Sequence, residues 1–156
     1  MRLILQRVSS AVVRAGGEAV AAIGRGMVVL VGVERGDGRA EAAAAADKLA
    51  GLRIFADHDG KMNLDLGAVG GAVLVVSQFT LAASLARGRR PSFDAAAPPA
   101  EAEPLIGELV ADLRRRGLTV AEGRFGAHME VELVNDGPVT FLLEFPPAAR
   151  SPGAPR

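Results

Sequence analysis

Apolar and polar positions alternate along the start of the chain with the period of two expected of half-buried strands. Residues 3–8 and 10–14 read as extended segments, Gly16-Gly17 suits a tight hairpin turn, and residues 18–23 return as a strand. Gly24-Arg25-Gly26 is a second turn signal, and residues 27–33 form a continuous apolar run of the kind found in fully buried strands. The pattern then changes. Residues 40–50 are rich in alanine and predict a helix, capped by Asp37 or a neighbour, whose small side chains suit close packing.

Residues 52–55 predict another strand, with "ADHDGKMN" as a loop or hairpin tip. After Gly70-Gly71, the run "AVLVVSQFTL" (72–81) is the most strand-like in the protein. Residues 82–99 lack any period and contain "RGRRPSF"; a loop this long in a compact domain is usually functional or mobile. Pro98-Pro99 open a second helix over residues 100–116, with Leu105, Ile106, Leu109, Val110 and Leu113 on one stripe and a basic end before Gly117. Strands follow at 118–122, 129–134 and 139–145. "NDGP" divides the last two and reads as a turn, with Pro138 placed awkwardly before a strand it cannot donate to.

About eight strands with two helices and recurrent hairpin signals favour a single α+β domain over a doubly wound one. The expected architecture is a mostly antiparallel sheet or barrel-like β roll over residues 1–145. Residues 146–156, with four prolines and a glycine, are expected to be a disordered tail.

Composition narrows the function by exclusion. The 156 residues are 49% hydrophobic and carry 18 basic and 18 acidic groups, so a nucleic acid would have to be held by a local patch. Arginine outnumbers lysine sixteen to two, which fits a GC-rich coding bias. The absence of cysteine removes disulfides, thiol catalysis and thiolate metal sites, and fits a cytoplasmic protein. No leader and no membrane-spanning run is evident.

Conventional catalytic motifs are missing: there is no Walker loop, no G-x-S-x-G and no H-E-x-x-H. His58, between Asp57 and Asp59, reads as a solvated hairpin tip rather than a metal site. His128, after "GRFGA", reads as a loop histidine, with acid–base work as the less favoured reading. Ser77, Gln78 and Thr80 interrupt an apolar strand where it meets the long loop; a ligand or a local backbone cap would satisfy them equally well. Arg87, Arg89 and Arg90 lie in that loop and are the better candidates for an RNA backbone contact. Arg114, Arg115 and Arg116 have the alternative role of stabilising a helix C-terminus.

Six segments together resemble the D-aminoacyl-tRNA deacylases: "MRLILQRVSSAVV", "GLRIFADHDGKMNLDL", "VVSQFTL", "GRRPSF", "GRFGAHM" and "VNDGPVTF". The resemblance implies a homodimeric, cofactor-free and metal-independent cytoplasmic enzyme that hydrolyses the ester joining a D-amino acid to the 3′ end of tRNA. Glycyl-tRNA is implied as a further substrate. It gives Thr80, Ser77 and Gln78 to the catalytic strand end and Phe79, Phe125 and Met129 to the substrate pocket. Gly137 and Pro138, joined by a cis bond, become the chiral selector in the partner subunit's pocket. After "SQFTL" the sequence "AASLARG" departs from the tyrosine, aspartate and lysines of many relatives, and His128 stands where aspartate is common. Thr80 is expected to position water, since no base stands in its motif. The competing expectations are a non-catalytic RNA-binding dimer and a structural dimerisation domain.

Overall fold

The structure, a computed structural model, describes residues 1–86 and 88–147. The alternation at the start of the chain becomes one strand, β1 (Arg2–Ala15), where two extended segments were predicted. Its buried positions are Leu3, Leu5, Val8, Ala11, Val13 and Ala15, so the period of two slips on either side of Val8. At the same two places its pairing with β8 (Met129–Glu144) shifts register, as bulges require. A slip of one residue moves the buried side chains to the other face. Leu3 and Leu5 enter one core, and Val8, at odd spacing from them, faces another. The extra β1 residue Ser9 then keeps Ala11 and Val13 on Val8's side.

β2 (Glu18–Ile23) returns through Gly16-Gly17, both at positive φ, as the turn signal required. The second turn signal does not reverse the chain. β3 (Gly26–Gly32) continues the course of β2, and the two pair with successive halves of β1. α1 (Arg39–Gly51) follows, capped by Gly38, whose N–H donates to the Glu41 carboxylate at 2.7 Å. Asp37 is otherwise engaged, accepting hydrogen bonds from the Met1 amine and the Glu34 N–H, both at 2.6 Å. β4 (Phe55–Ala56) and β5 (Met62–Leu64) make a small separate hairpin around the predicted tip. β6 (Ala72–Ser77), α2 (Pro99–Arg115), β7 (Thr119–Glu122) and β8 complete eight strands and two helices among the described residues.

The sheet is mostly antiparallel, built around β1, and nearly closed. It becomes parallel from β3 through β6 to β7. This parallel portion was not foreseen; the connections from β3 to β6 and from β6 to β7 each carry a helix long enough to cross over. Met27, Val29, Val31, Val73 and Val75 face α1 and α2, where they meet Ala45, Leu49, Leu109 and Leu113. Val28, Leu74 and Val76 point the other way, against Val8, Val13 and Ile23 inside the curl. Burial on both faces is why these strands read as unbroken apolar runs.

The largest departure from expectation lies at "NDGP". The two predicted end strands are one, and both halves of β8 pair with β1 in the same direction. Val8 faces Asn135 and Gln6 faces Thr140, so residues 136–139 stand opposite Arg7 alone. The turn residues therefore build a bulge within a strand instead of a reversal, which resolves the proline: at a bulge no ladder N–H is needed. Beyond Pro147, the expected tail lies outside the described residues. Among those residues, no helix is long and apolar enough to cross a membrane.

Candidate active site

Parallel pairing carries β6 alongside β3 until Val31 meets Ser77, and the Gln78 N–H extends the ladder by donating to the Val31 carbonyl at 2.7 Å. The strand ends there. Residues predicted to prolong it form a single 3-10 turn, Phe79–Ala82, closed by the Leu81 N–H donating to the Gln78 carbonyl at 3.2 Å. Sequence pattern could not separate the two, because a short apolar run fits either conformation. The first N–H groups of such a turn, those of Phe79 and Thr80, have no partner within it.

A cavity of about 630 Å³ opens at this strand end. Val31, Val33 and Val76 form its strand wall, Ala102 and Ile106 of α2 a second, and Phe125, Ala127 and Met129 a third. Met129 is held in place, since the Arg124 N–H donates to its sulfur at 3.2 Å. Among the described residues, Ser77, Gln78 and His128 are the polar side chains of the lining, which includes no carboxylate, lysine or arginine. Five of the predicted site residues thus meet in one cavity: Ser77, Gln78, Phe79, Phe125 and Met129. Thr80 stands just beside it, exposed, with its hydroxyl accepting a hydrogen bond from Gln78 Nε2 at 2.5 Å. His128 is an exposed member of the lining.

Gly137 and Pro138 are elsewhere. Met129 lies opposite Ala15, whereas residues 136–139 lie opposite Arg7. Eight strand residues separate the bulge from Met129, roughly 26 Å at the usual rise. Ser77, paired with Val31 opposite Leu3, is four residues along and two strands across from Arg7, roughly 16 Å. The Gly137–Pro138 peptide bond is cis, and both residues are exposed. Two side chains that sequence reasoning did not single out hold the bulge. Asn135 acts as a short strand would: its Oδ1 accepts the Val139 N–H at 2.7 Å, and its Nδ2 donates to the Val139 carbonyl at 3.2 Å and to Thr140 Oγ1 at 3.1 Å. Arg7 donates from Nε to the Asp136 carbonyl at 2.8 Å and from Nη1 to the Ile54 carbonyl at 2.5 Å, and it pairs with the Asp136 carboxylate at 3.5 Å. The slip in alternation beside Arg7 was the available signal for this device.

Asn135→Ala is expected to destabilise the protein by about 2–3 kcal/mol, because it strips partners from both backbone groups of a buried Val139. Urea unfolding of the variant checks this; an unchanged midpoint would show the bulge to be held without Asn135.

The other candidates fall outside the site. Arg89 and Arg90 are exposed on the loop after the 3-10 turn, and Arg87 lies outside the described residues. Arg114 and Arg116 are engaged by Glu122 and by Asp47 with Asp112, and hydrogen bonding to Asp47 holds the Arg116 guanidinium above its ordinary pKa. Asp57, His58 and Asp59 bring potential ligand atoms within 4.8 Å of one another. Asp57 Oδ1 is already committed to the N–H groups of Asp59 and Lys61 at 2.9 and 3.0 Å, the geometry of a folded hairpin tip. Hydrogen bonding from Lys61 comes first among the causes that keep this carboxyl below its usual pKa.

Residues 4–144 match the family described as D-Tyr-tRNA(Tyr) deacylase. The chain is 57% identical over 148 residues to a D-aminoacyl-tRNA deacylase of Geobacter metallireducens, covering 95% of this chain and 98% of that protein. It is 58% identical over 144 residues to one of Symbiobacterium thermophilum, covering 92% and 95%. A solved structure described as c-Myc DNA Unwinding Element Binding Protein resembles it with a TM-score of 0.88 and 39% identity, over 94% of this chain and 99% of that one. A match that takes in both the strand end at Ser77 and the bulge at Gly137 settles membership: the chain belongs to the D-Tyr-tRNA(Tyr) deacylase family.

Proposed function

We propose that this chain hydrolyses the ester of D-aminoacyl-tRNA, working as a homodimer in which each subunit's Gly137–Pro138 bulge completes its partner's cavity. The observation that carries the reading is a separation. The strand-end cavity and the braced, exposed bulge lie too far apart in one chain to touch the same aminoacyl group. A second copy brings them together. β8 offers it a long flank, with Val131, Val134, Phe141 and Leu142 exposed along the strand.

The aminoacyl ester is already activated, so the site needs little acid–base chemistry, and the cavity wall supplies little. Ser77, Gln78 and the Thr80 hydroxyl hold water and ester at the strand end. The N–H groups of Phe79 and Thr80 face the developing oxyanion, a kind of contact worth a few kcal/mol in other enzymes. Thr80 positions rather than attacks. Its oxygen accepts from the Gln78 amide, a group that cannot take up its proton. The ribose 2′-hydroxyl beside the ester is a chemically available assistant. Phe125 and Met129 form the apolar wall for the terminal adenosine.

Selectivity arises by exclusion. A backbone wall built from residues 136–138 occupies the space an L side chain would need, and a D side chain points away from it. Glycine has no side chain to exclude, so glycyl-tRNA is accepted as well. Discarding D-aminoacyl esters in this way is chiral proofreading.

The test is release of amino acid from tRNA charged with the D or the L form. Wild-type protein is expected to favour the D ester by on the order of 10³, about 4 kcal/mol. Thr80→Ala should lower kcat by roughly 10-fold, the worth of one hydrogen bond to water; a loss on the order of 10⁶ would instead mark Thr80 as the nucleophile. Salt-sensitive tRNA binding without ester loss would replace the enzyme by an RNA-binding module. Sedimentation as a monomer during turnover would remove the shared site.

A further inference from the structure

The long loop after the strand end carries a feature that the reaction does not use. Phe93 packs against Phe79 with ring centroids 5.1 Å apart and planes inclined at 57°. Both rings remain exposed, Phe79 at 59% and Phe93 at 40%. A fold gains nothing from leaving an aromatic pair in water, and such contiguous apolar surface marks a binding surface.

Phe93 is firmly mounted. Ser84 and Ser92 exchange backbone hydrogen bonds at 2.8 and 3.0 Å and so join the chain on either side of the exposed Arg89 and Arg90. Beyond Phe93, the Arg35 N–H donates to the Ala95 carbonyl at 2.8 Å, Arg35 Nε to the Asp94 carbonyl at 2.9 Å, and the Ala97 N–H to the Val33 carbonyl at 3.0 Å. The ring thus sits on a segment tied to the end of β3.

Phe79 lines the cavity and Phe93 does not. The pair therefore leads from inside the site outward, and the exposed Arg89 and Arg90 precede Phe93 by four and three residues in the same loop. That order matches a single-stranded RNA end: a terminal nucleoside inside and the next base outside. Stacking on aromatic rings is how proteins hold unpaired bases whatever their sequence, at about 1–3 kcal/mol per base.

Resting on the deacylase reading, we propose that Phe93 is a positioning residue for RNA, stacking the unpaired base next to the terminal adenosine while Arg89 and Arg90 face the adjoining phosphates. The test compares wild type, Phe93→Ala, Phe93→Leu and Phe93→Trp on two substrates: full D-aminoacyl-tRNA, and the D-aminoacyl ester of adenosine alone, which has no second base. Phe93→Ala and Phe93→Leu should raise KM for the tRNA by about 10-fold, within the range of one stacked base, with kcat within about 2-fold. Phe93→Trp should restore it, and none of the three should alter turnover of the adenosine ester. An unchanged KM on tRNA, an equal effect on both substrates, or a changed sedimentation coefficient would overturn the proposal. The last would identify the pair as a contact between copies. If wild-type protein cleaves neither ester, the deacylase reading fails and this one with it; if it cleaves both and Phe93→Ala matches it, only this one fails.

Discussion

Gly137→Ala is expected to lower D-aminoacyl-tRNA hydrolysis by on the order of 10²-fold in a protein that still folds, the scale of loss when a reacting group is displaced by about 1 Å. A Cβ at this position would stand 2.6 Å from Val139 Cγ2, 2.9 Å from the Val139 nitrogen and 3.3 Å from Arg7 Nη2. The backbone there also has φ near +150°, which side-chain-bearing residues rarely adopt. The neighbours cannot absorb the methyl group separately, because Asn135 holds Val139 and Arg7 holds Asp136. The bulge must shift as a unit. Residues 136–138 are exposed, so the shift costs about 1–3 kcal/mol locally and leaves both cores untouched. Circular dichroism and thermal unfolding would register a small change, while single-turnover hydrolysis registers a large one. A variant with wild-type kcat/KM and undiminished preference for the D ester would remove Gly137 from the site.

Much of this arrangement was legible in the sequence, and the failures have a common cause. Gly16-Gly17 was read correctly because a hairpin turn is local: its residue types and its φ angles belong to the same two positions. "NDGP" has equally strong turn chemistry, yet it forms a bulge. Reversal or bulge is decided by the partner strand, and β1 continues past the site on both sides. The same limit hid Asn135 and Arg7, whose roles depend on what faces them across the sheet. "SQFTL" was read as strand to its end although the strand stops at Ser77. After one further bond from the Gln78 N–H to β3, the chain enters a 3-10 turn. Ser77 and Gln78 were nevertheless found, since polar side chains closing an apolar run mark a strand end whatever follows. Phe79, Phe125 and Met129 came only from the family resemblance. Parallel pairing of β3, β6 and β7 went unseen because no turn residue encodes it; it follows from two helical crossovers.

Gly26→Ala should be the most damaging alanine substitution among the described glycines, destabilising the protein by about 4 kcal/mol, at the upper end for overpacking. Gly26 is paired on β1 with Val8 and on β6 with Ala72. A Cβ there would lie 1.9 Å from the Ala72 carbonyl oxygen and 2.8 Å from both its carbon and its nitrogen. These are backbone atoms, so no rotamer change relieves the clash; β3 and β6 would have to separate. That pairing is what brings Ser77 beside Val31 at the far end of the same two strands. The damage should therefore reach the cavity before the protein unfolds globally. Gly24, two residues earlier, is the control: nothing stands within 4 Å of a Cβ built on it, and Gly24→Ala should fall within about 0.5 kcal/mol of wild type. For a chain of this size, 4 kcal/mol corresponds to a Tm lower by about 8–16 °C. Equal urea midpoints for the two variants would show that the strands can part without cost. The parallel ladder would then not be what fixes the strand end at the active site.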